Sequence, residues 1–213
     1  MSEGCFITFE GIEGVGKSTQ CLQAVDWLKS LGHTVVHTRE PGGTEIAEII
    51  RSIFIANHAE PMDAMTELLL VFAARAQHLA QKIQPALAAG HWVVCDRFTD
   101  ASFAYQGARD TLPSNAVEQL EQLVHRHLQP DITFLLDMPV EAGMARVRSR
   151  GEQSDRIEDE SLAFFQAVRQ GYLRRADQYP DRIRVVDASG SIDTVFARIQ
   201  QSLQEQWECL AHG

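Results

Sequence analysis

Short apolar runs alternate with longer helical patterns along the entire chain. Each run is rich in Val, Ile, Leu or Phe and is bounded by polar or turn-forming residues, which is typical of β-strands. The five predicted strands are Cys5–Phe9, Thr34–Thr38, Trp92–Cys95, Ile132–Asp137 and Ile183–Val186. Because helical segments separate these runs, the pattern predicts an α/β fold with a five-stranded parallel sheet flanked by helices.

The segments between the strands carry helical patterns and recognisable end signals. Gly32 and Gly90 follow two of them as stop signals, and Thr44 is placed to cap the start of another. The predicted helices are approximately Lys17–Leu31, Thr44–Ala56, Met62–Ala89, Ser114–Leu128, one from Val140, Glu160–Gln178 and Ile192–Leu210. A loop is expected between the third strand and Ser114. Since no repeat, low-complexity tract or linker interrupts the pattern, we expect a single domain over residues 1–213.

The composition is that of a globular protein and argues against several classes. The chain has 213 residues, is 45% hydrophobic and 23% charged, and carries a formal net charge of −10. This acidic balance argues against binding to nucleic-acid polymers or anionic membranes, because such partners require a broad positive field. No apolar stretch reaches transmembrane length, and the N-terminus lacks the pattern of a signal peptide.

The cysteines and histidines form no metal-binding pattern. The four cysteines are scattered without a C-x-x-C pair, which favours thiols in a reducing cytoplasm over a disulfide framework or a zinc site. His125 and His127 are two residues apart, so they point to different faces of a helix, and we interpret them as solvated surface. We therefore expect a cytoplasmic protein.

A glycine-rich motif follows the first strand. Residues Gly11–Ser18 read G-I-E-G-V-G-K-S, which matches G-x-x-x-x-G-K-[ST] between a strand and a helix. Glycine lets backbone N–H groups surround phosphate oxygens, and the helix that follows turns its positive end toward the same anion. In such a loop Lys17 reaches the β- and γ-phosphates, and Ser18 offers a hydroxyl to Mg²⁺. The expected ATP-binding residues are Gly11, Ile12, Glu13, Gly14, Val15, Gly16, Lys17, Ser18 and Thr19.

Charged residues follow the second and third strands, at the edge of a parallel sheet where ligands bind. Arg39 and Glu40 end the second strand, and Asp96 and Arg97 end the third. Asp96 is placed to orient Mg²⁺ through water and Arg97 to hold a phosphate, so Ser18 and Asp96 are the expected metal-binding residues. The alternative is that Asp96 and Arg97 form a surface ion pair.

Several further segments resemble the thymidylate kinase family. The matching segments are Phe9–Thr19, Thr38–Thr44, Phe72–Arg75, Asp96–Phe98, Ser102 with Ala104–Gly107, and Arg150–Glu152 with Asp155–Arg156. The R-E-P-G-G-T and A-Y-Q-G runs are distinctive of this family, whereas the P-loop is not. The resemblance implies a P-loop kinase fold, typically homodimeric, that phosphorylates dTMP to dTDP with ATP and Mg²⁺.

The resemblance also implies roles at the reacting phosphates. Arg39 and Arg97 would lie near the dTMP phosphate and the transferring group, and Glu40 and Arg51 would line the same acceptor site. Glu10 occupies the family's acidic position before the P-loop, near the sugar and the metal. The implied catalytic residues are Lys17, Arg97, Arg150, Arg156 and Glu10.

For the nucleoside, the resemblance implies contacts on the helix before and the segment after the third strand. Arg75 would bind the thymine edge with the help of Ser102 and Gln106, and Tyr105 would lie against the sugar. The implied substrate-binding residues are Arg39, Glu40, Arg51, Phe72, Arg75, Arg97, Ser102, Tyr105 and Gln106.

One position departs from the family pattern. Many members carry the aromatic that stacks on thymine four residues before the equivalent of Arg75, where this chain has Val71. Phe72 lies three residues before Arg75, and both spacings fall on one helix face. Phe72 therefore either stacks on thymine or belongs to the core.

A basic segment follows the fourth strand. Its arginines are Arg146, Arg148, Arg150 and Arg156. By itself such a run would be a solvated helix face, but beside a P-loop it predicts a mobile lid over residues 146–157 that closes over ATP and excludes water. The P-loop holds no basic residue before its lysine, so, as in the family's bacterial branch, Arg150 or Arg156 would supply the catalytic arginine.

We therefore expect a cytoplasmic, Mg²⁺-dependent kinase that transfers the γ-phosphoryl group of ATP to dTMP for dTTP synthesis. One alternative is a P-loop kinase with another nucleoside or nucleotide acceptor. The other is a regulatory or assembly ATPase, which would leave Arg39, Arg75 and Arg97 without a shared ligand. The turn over residues 187–190 either packs near adenine, as the resemblance implies, or connects a strand to a helix.

Overall fold

One parallel β-sheet organises the chain. The computed structural model describes residues 4–125, 127–149 and 155–212, with side chains described up to residue 205. The strands are β1 Phe6–Glu10, β2 Val35–Arg39, β3 Trp92–Asp96, β4 Ile132–Asp137 and β5 Ile183–Asp187. Their order across the sheet is β2-β3-β1-β4-β5, and every neighbouring pair is parallel. The predicted five-stranded parallel sheet is confirmed.

The two faces of the sheet contribute to separate cores. Successive side chains of a strand point to opposite faces, so Phe6 of β1 and Val93 of β3 pack with Ile83 on one face. Ile7 and Val94, one position further along, belong to the larger core on the other face. The three central strands β1, β3 and β4 are buried along nearly their whole length, whereas the edge strands β2 and β5 are partly exposed and carry polar residues.

Helices flank this sheet. They are α1 Lys17–Ser30, α2 Glu45–Ile55, α3 Ala64–His78, α4 Gln84–Ala88, α5 Thr99–Tyr105, α6 Ala116–Val124, α7 Val140–Ser149, α8 Leu162–Gln178 and α9 Ile192–His212. Thr44 caps α2 as predicted, since its hydroxyl accepts a hydrogen bond from the N–H of Ala47. Within the described part of the chain, no helix has both the length and the apolar character to cross a membrane.

The long helix predicted over Met62–Ala89 is divided in the structure. It begins after Asp63, whose carboxylate caps α3, and a π-helical turn at Leu79–Ile83 separates α3 from α4. Pro85 explains the division, because it has no N–H to donate and its ring crowds the preceding turn. A wider turn accommodates the proline while the chain continues in the same direction.

The segment predicted as a loop after the third strand contains the short helix α5 and a 3₁₀ turn at Gln106–Ala108. This helix depends on packing against α8, where Gly171 lies so close that an added Cβ would be 2.9 Å from the Ala104 Cα atom. Tertiary contact therefore overrides the weak local pattern. His125 is also corrected: it is buried and its Nε2 lies 2.7 Å from the Thr99 hydroxyl, so it is not solvated surface.

The carboxyl ends of the strands bring charged residues together. Arg39 of β2 is the register partner of Asp96 of β3. Just beyond β3, the N–H of Arg97 donates to the carbonyl of Phe9 at 2.9 Å. The end of β3 is thereby joined to β1 beside the P-loop, and this edge of the sheet carries the candidate site.

Candidate active site

The P-loop leaves the start of α1 open. Gly16 precedes this helix with a φ of 94°, and no described side chain caps the helix N-terminus. Lys17 is buried and donates to the carbonyl of Ile12 at 2.7 Å. Burial, helped by the nearby positive charge of Arg97, lowers the pKa of Lys17 to about 8. The uncapped N–H groups at the start of α1 and the lysine together fit an anion.

Gly14 allows the P-loop to lie directly on the helix that leads to the predicted lid. Its φ is 77°, a conformation that side chains rarely adopt. A Cβ atom at this position would also collide with the backbone of Gly143 in α7. A Cβ on Gly143 would in turn lie 2.7 Å from the carbonyl oxygen of Glu13. Two glycines therefore bring α7 and the P-loop into backbone contact.

Ser18 and Asp96 meet at the mouth of the P-loop. The hydroxyl of Ser18 donates to Oδ2 of Asp96 at 2.6 Å. Among the described residues, the other carboxylate oxygen, Oδ1 of Asp96, is buried with no hydrogen-bond partner. Mg²⁺ is held mainly by oxygen ligands, some of them water and phosphate. A hydroxyl and a carboxylate with an unused oxygen beside a phosphate-binding loop fit that ion.

Two cavities lie side by side at this edge of the sheet. The first, which we call the α3–α5 cavity, is lined by Val71 and Arg75 of α3, by Ser102 and Tyr105 of α5, and by Gln106, among other residues. The second, the P-loop cavity, is lined by residues of the P-loop together with charged residues from other segments.

Four residues line both cavities: Glu13, Arg51, Arg97 and Asp155. Two of these are arginines and two are carboxylates, so the junction has cationic groups whose charge is balanced in the absence of a ligand. Burial lowers the pKa of Arg51, and the positive charges of Arg39 and Arg97 lower it further. Glu13 and Glu48 compensate Arg97 and Arg39, and an anion bound here would further reduce the repulsion among the three arginines.

Arg97 is held in an unusual conformation at the junction. Its φ is 70°, which non-glycine residues seldom adopt. Its guanidinium lies 2.7 Å from the Glu13 carboxylate and donates to the Tyr105 hydroxyl at 3.0 Å. That hydroxyl in turn donates to Glu13 at 2.6 Å. The strained backbone therefore directs a charged side chain to the point where the two cavities meet.

Arg75 is fixed by a buried network that leaves one of its nitrogens unused. Glu40 accepts from Nε of Arg75 at 2.7 Å and from Nδ1 of His78 at 3.0 Å. Burial acts to raise the pKa of Glu40, but Arg75 and His78 outweigh it, so that pKa lies below its usual value. Among the described residues, Nη1 of Arg75 and the hydroxyl of Ser102 are buried without partners. Both residues line the α3–α5 cavity, which therefore offers polar groups to a ligand.

Comparison with known proteins identifies the family. A family model described as Thymidylate kinase matches residues 9–199. The chain belongs to the thymidylate kinase family. It is 56% identical over 207 residues to the thymidylate kinase of Chromohalobacter salexigens, covering 97% of this chain and 98% of that protein. It is 54% identical over 204 residues to that of Alcanivorax borkumensis, covering 94% and 98%.

A solved structure of the thymidylate kinase family has the same fold. The crystal structure of thymidylate kinase from Ehrlichia chaffeensis matches with a TM-score of 0.78 at 32% identity, covering 94% of this chain and 99% of that one. The resemblance drawn from the sequence motifs and the predicted P-loop kinase fold are both confirmed.

Most of the implied thymidylate kinase acceptor residues line the α3–α5 cavity, but Arg39 does not. The acceptor residues in that wall are Glu40, Arg51, Arg75, Arg97, Ser102, Tyr105 and Gln106. Arg39 lies outside the lining of both cavities and pairs with Glu48 at 2.9 Å, with half of its side chain exposed. Its charge still reaches Arg51, as the lowered pKa of Arg51 indicates.

Phe72 belongs to the core rather than to the cavity. It is 2% exposed and packs with Leu68 and Val117. The guanidinium of Arg75 lies 4.5 Å from the centre of its ring, so Phe72 supports Arg75 from behind. Val71, which occupies the family's aromatic position, lines the cavity instead. Of the two alternatives for Phe72, its burial favours the core, and stacking on thymine stays an untested prediction.

Glu10 does not line either cavity, and its position near the sugar and the metal stays a prediction. It is fully buried and accepts from the N–H of Phe98 at 2.7 Å and from the hydroxyl of Tyr172 at 2.8 Å. Burial and the nearby Asp100 raise its pKa to about 8. The carboxyl group is turned inward because two buried donors need an acceptor at that point.

The structure describes only one of the two candidates for the catalytic lid arginine. Arg156 lines neither cavity: it donates to Glu67 at 2.9 Å and to the carbonyl of Phe54 at 2.9 Å. Its catalytic role stays a prediction, and these contacts occupy its guanidinium. Arg150, with the rest of 150–154, lies outside the described residues. Arg146 and Arg148 lie in the last turns of α7.

Two residues of the site were missed by the sequence reasoning. Glu67 and His78 are buried and hydrogen bond to cavity residues, Glu67 to Gln106 and His78 to Glu40. A signal was present, because polar residues are unusual within an Ala/Leu-rich helix. Residues 67, 71, 75 and 78 have the spacing of one helix face, the face that Arg75 marks.

Proposed function

We propose that this chain transfers the γ-phosphoryl group of ATP to the 5′-phosphate of dTMP, giving ADP and dTDP for dTTP synthesis. Membership of the thymidylate kinase family supports this reaction. The observation that carries the assignment of the sites is the junction of the two cavities, which Glu13, Arg51, Arg97 and Asp155 share. An acceptor in one cavity and a donor in the other would meet there, as in-line transfer requires.

The α3–α5 cavity is assigned to dTMP. The unused nitrogen of Arg75, the hydroxyl of Ser102 and the amide of Gln106 would bind the polar edge of thymine. Val71 leaves room beside the ring, where many family members have an aromatic side chain. Tyr105, which lies between Glu13 and Arg97, would contact the sugar.

The P-loop cavity is assigned to ATP. Residues 11–19 would surround the β- and γ-phosphates, with Lys17 exchanging the carbonyl of Ile12 for phosphate oxygens. Arg97 and Arg51 would hold the acceptor phosphate and the transferring group, with Arg39 as a third positive charge nearby. The acceptor phosphate is already ionised, so the reaction needs positioning and charge neutralisation rather than a base.

Mg²⁺ would be held by Ser18 and Asp96. The unpartnered Oδ1 of Asp96, buried beside the hydroxyl of Ser18, supports this assignment. When bound, the ion would neutralise charge on the β- and γ-phosphates.

The catalytic arginine of the lid is assigned to Arg150. The alternative, Arg156, is engaged by Glu67 and by the backbone near Phe54. An arginine brought over the γ-phosphate by closure of residues 146–157 would neutralise charge and exclude water, so that ATP is not hydrolysed. Residues 1–213 would form one domain with this lid.

A homodimer in the cytoplasm completes the proposal. Ile46, Ile49 and Ile53 recur at helical spacing on α2 and are 45–56% exposed, and Leu69 on the neighbouring α3 is 50% exposed. An exposed apolar face of this kind favours an interface with a second copy of the chain.

The experiment that tests the proposal is an acceptor panel with ATP, Mg²⁺ and a coupled assay of ADP release. We expect turnover with dTMP to exceed turnover with dUMP, thymidine and UMP by a wide margin. Turnover of dUMP or thymidine well above that of dTMP would refute the assignment. A steady ATPase rate that no acceptor increases would favour a regulatory ATPase instead.

A further inference from the structure

Glu67 is a buried carboxylate on α3 that no step of the proposed reaction uses. Its side chain is 2% exposed. It accepts hydrogen bonds from Nε2 of Gln106 at 2.9 Å, from Nη2 of Arg109 at 3.0 Å and from Nη1 of Arg156 at 2.9 Å. The two guanidinium groups compensate the charge of the carboxylate, and an ionised carboxylate only accepts hydrogen bonds.

This contact determines which end of the Gln106 amide points toward Glu67. A carboxylate can bind the NH₂ group of an amide but repels its carbonyl oxygen, so Nε2 must face Glu67. Gln106 is 2% exposed and lines the α3–α5 cavity. With Nε2 engaged, the carbonyl Oε1 is the end of the amide that is available to a ligand. Gln106 therefore presents an acceptor.

Glu67 cannot easily turn to release the amide. Arg109, which binds one side of it, is also paired with Glu160 at 2.7 Å. Arg156 donates from Nη1 to Oε2 of Glu67, the oxygen that also accepts from Nη2 of Arg109. It is anchored by its Nε to the carbonyl of Phe54. Reversing the Gln106 amide would place its Oε1 against the Glu67 carboxylate in a buried site. Two acceptors would then face each other without a hydrogen between them, and burying them in that way costs free energy.

We propose that Glu67 is a specificity-determining positioning residue, which fixes the Gln106 amide so that the cavity accepts a pyrimidine with an N–H at N3. Thymine and uracil have that donor, whereas N3 of cytosine is an acceptor and would face Oε1 without a hydrogen. The inference rests on the proposed function, since it assumes that the α3–α5 cavity binds the base. Glu67 acts through Gln106 and contacts no substrate itself.

The test is Glu67→Gln. Glutamine at this position can donate as well as accept, so the Gln106 amide becomes able to reverse and to offer Nε2 to the cavity. We expect the ratio of kcat/KM for dCMP to that for dTMP to rise about 10-fold, the size of one corrected hydrogen-bond mismatch. The ratio for dUMP to dTMP should stay unchanged, because uracil and thymine share the N3 hydrogen.

Glu160→Gln is the matched control. It removes a carboxylate from the same network and from the same Arg109, but Glu160 does not contact Gln106. We expect both acceptor ratios to stay at wild-type values in this variant. In a Gln106→Ala background, Glu67→Gln should cause no further change in the dCMP ratio, because its effect passes through the amide.

Three outcomes would overturn the inference. The first is a folded Glu67→Gln variant with the wild-type dCMP ratio. The second is an equal rise for dUMP and dCMP, which would indicate a loosened cavity. The third uses Glu67→Asp, a variant that keeps an acceptor-only group and can replace Glu67→Gln if that variant does not fold. If folded Glu67→Asp protein no longer discriminates against dCMP, the proposal is contradicted. Failure of the wild-type chain to use dTMP would instead refute the proposed function.

Discussion

The guanidinium of Arg97 lies 2.7 Å from the Glu13 carboxylate, so the arginine at the junction of the two cavities is held by the P-loop itself. Both side chains are largely buried, and the Tyr105 hydroxyl donates to the same carboxylate. The ion pair keeps the guanidinium positioned between the two cavities before any phosphate arrives. The contribution of Arg97 to the reaction can therefore be measured by substituting it.

Arg97→Ala should lower kcat/KM for dTMP by about 10³-fold or more, the range seen when an arginine is removed from a transferring phosphate. Arg97→Gly should be equally inactive but about 1 kcal/mol more stable than Arg97→Ala, since a φ of 70° strains alanine and not glycine. Coupled ADP-release assays and urea denaturation measure the two effects. Near-normal turnover in either variant would refute the phosphate role.

The two candidates for the catalytic lid arginine, Arg150 and Arg156, give a second prediction. Arg150→Ala should lower kcat by about 10²-fold or more with little change in KM for dTMP. Arg156→Ala should act mainly through KM for dTMP and through stability, since Arg156 supports Glu67 and thereby Gln106. Steady-state kinetics of both variants measure kcat and KM for dTMP and so distinguish the two roles. A larger fall in kcat for Arg156→Ala than for Arg150→Ala would reverse the assignment.

The strands, the P-loop and the cap at Thr44 could be predicted because their signals are local. Apolar runs of strand length specify a buried sheet, and glycines at fixed spacing specify a loop around phosphate. The π-turn at Leu79–Ile83 and the helix at Thr99–Tyr105 depend on crowding at Pro85 and on packing against α8. Packing against α8 is a contact between distant segments and leaves no periodic trace, whereas Pro85 is a local signal that the helix prediction did not use.

The candidate site divides in the same way. Sequence motifs indicated which residues belong to the site, but only the structure shows which of their side chains line a cavity. Phe72 and Glu10 have plausible chemistry and positions, yet both are turned into the interior, where an arginine or two buried donors need them. Glu67 could be suspected only as a charged residue in an apolar helix, because its partners Arg109 and Arg156 come from distant segments.

The metal assignment predicts a selective dependence on Mg²⁺. Asp96→Asn should raise the Mg²⁺ concentration for half-maximal activity about 10-fold, because a neutral amide binds a hard cation more weakly than a carboxylate. Asp137→Asn is the control: it lies at the same edge of the sheet but its carboxylate is engaged by Arg169 at 2.7 Å. In Mg²⁺ titrations of activity, the half-maximal Mg²⁺ concentration should be raised in Asp96→Asn and unchanged in Asp137→Asn. Identical curves for Asp96→Asn and wild type would contradict the assignment.

The proposed dimer can be tested by adding charge to its apolar face. Ile49→Glu should convert the dimer to a monomer in sedimentation velocity, because a carboxylate would be buried without a partner at the interface. Leu22→Glu on α1 is the control, since Leu22 is 52% exposed and Ile49 is 56% exposed. It should leave the sedimentation coefficient unchanged. If the wild-type chain sediments as a monomer, the proposed homodimer is refuted.

Glu10 predicts a pH dependence of stability. Burial raises its pKa from the ordinary value of 4.5 to about 8, so the folded state binds more protons than the unfolded state between those values. The contribution of Glu10 to the free energy of unfolding should therefore fall as pH rises from 4.5 to 8. Burial lowers the pKa values of His33, His37 and His125 below 6.5, so these three groups act in the opposite sense at mildly acid pH. Lys17, whose pKa is lowered from 10.5 to about 8, acts in the opposite sense but only above pH 8.

Glu10→Gln isolates this effect. The amide imitates the protonated carboxyl group, since its oxygen can accept from the N–H of Phe98 and its nitrogen can donate to the Tyr172 hydroxyl. Relative to wild type, the variant should gain stability on the order of a few kcal/mol between pH 5 and pH 8. Urea denaturation at pH 5, 6.5 and 8 measures the difference. A difference between the two proteins that does not change with pH would mean that Glu10 does not titrate in this range.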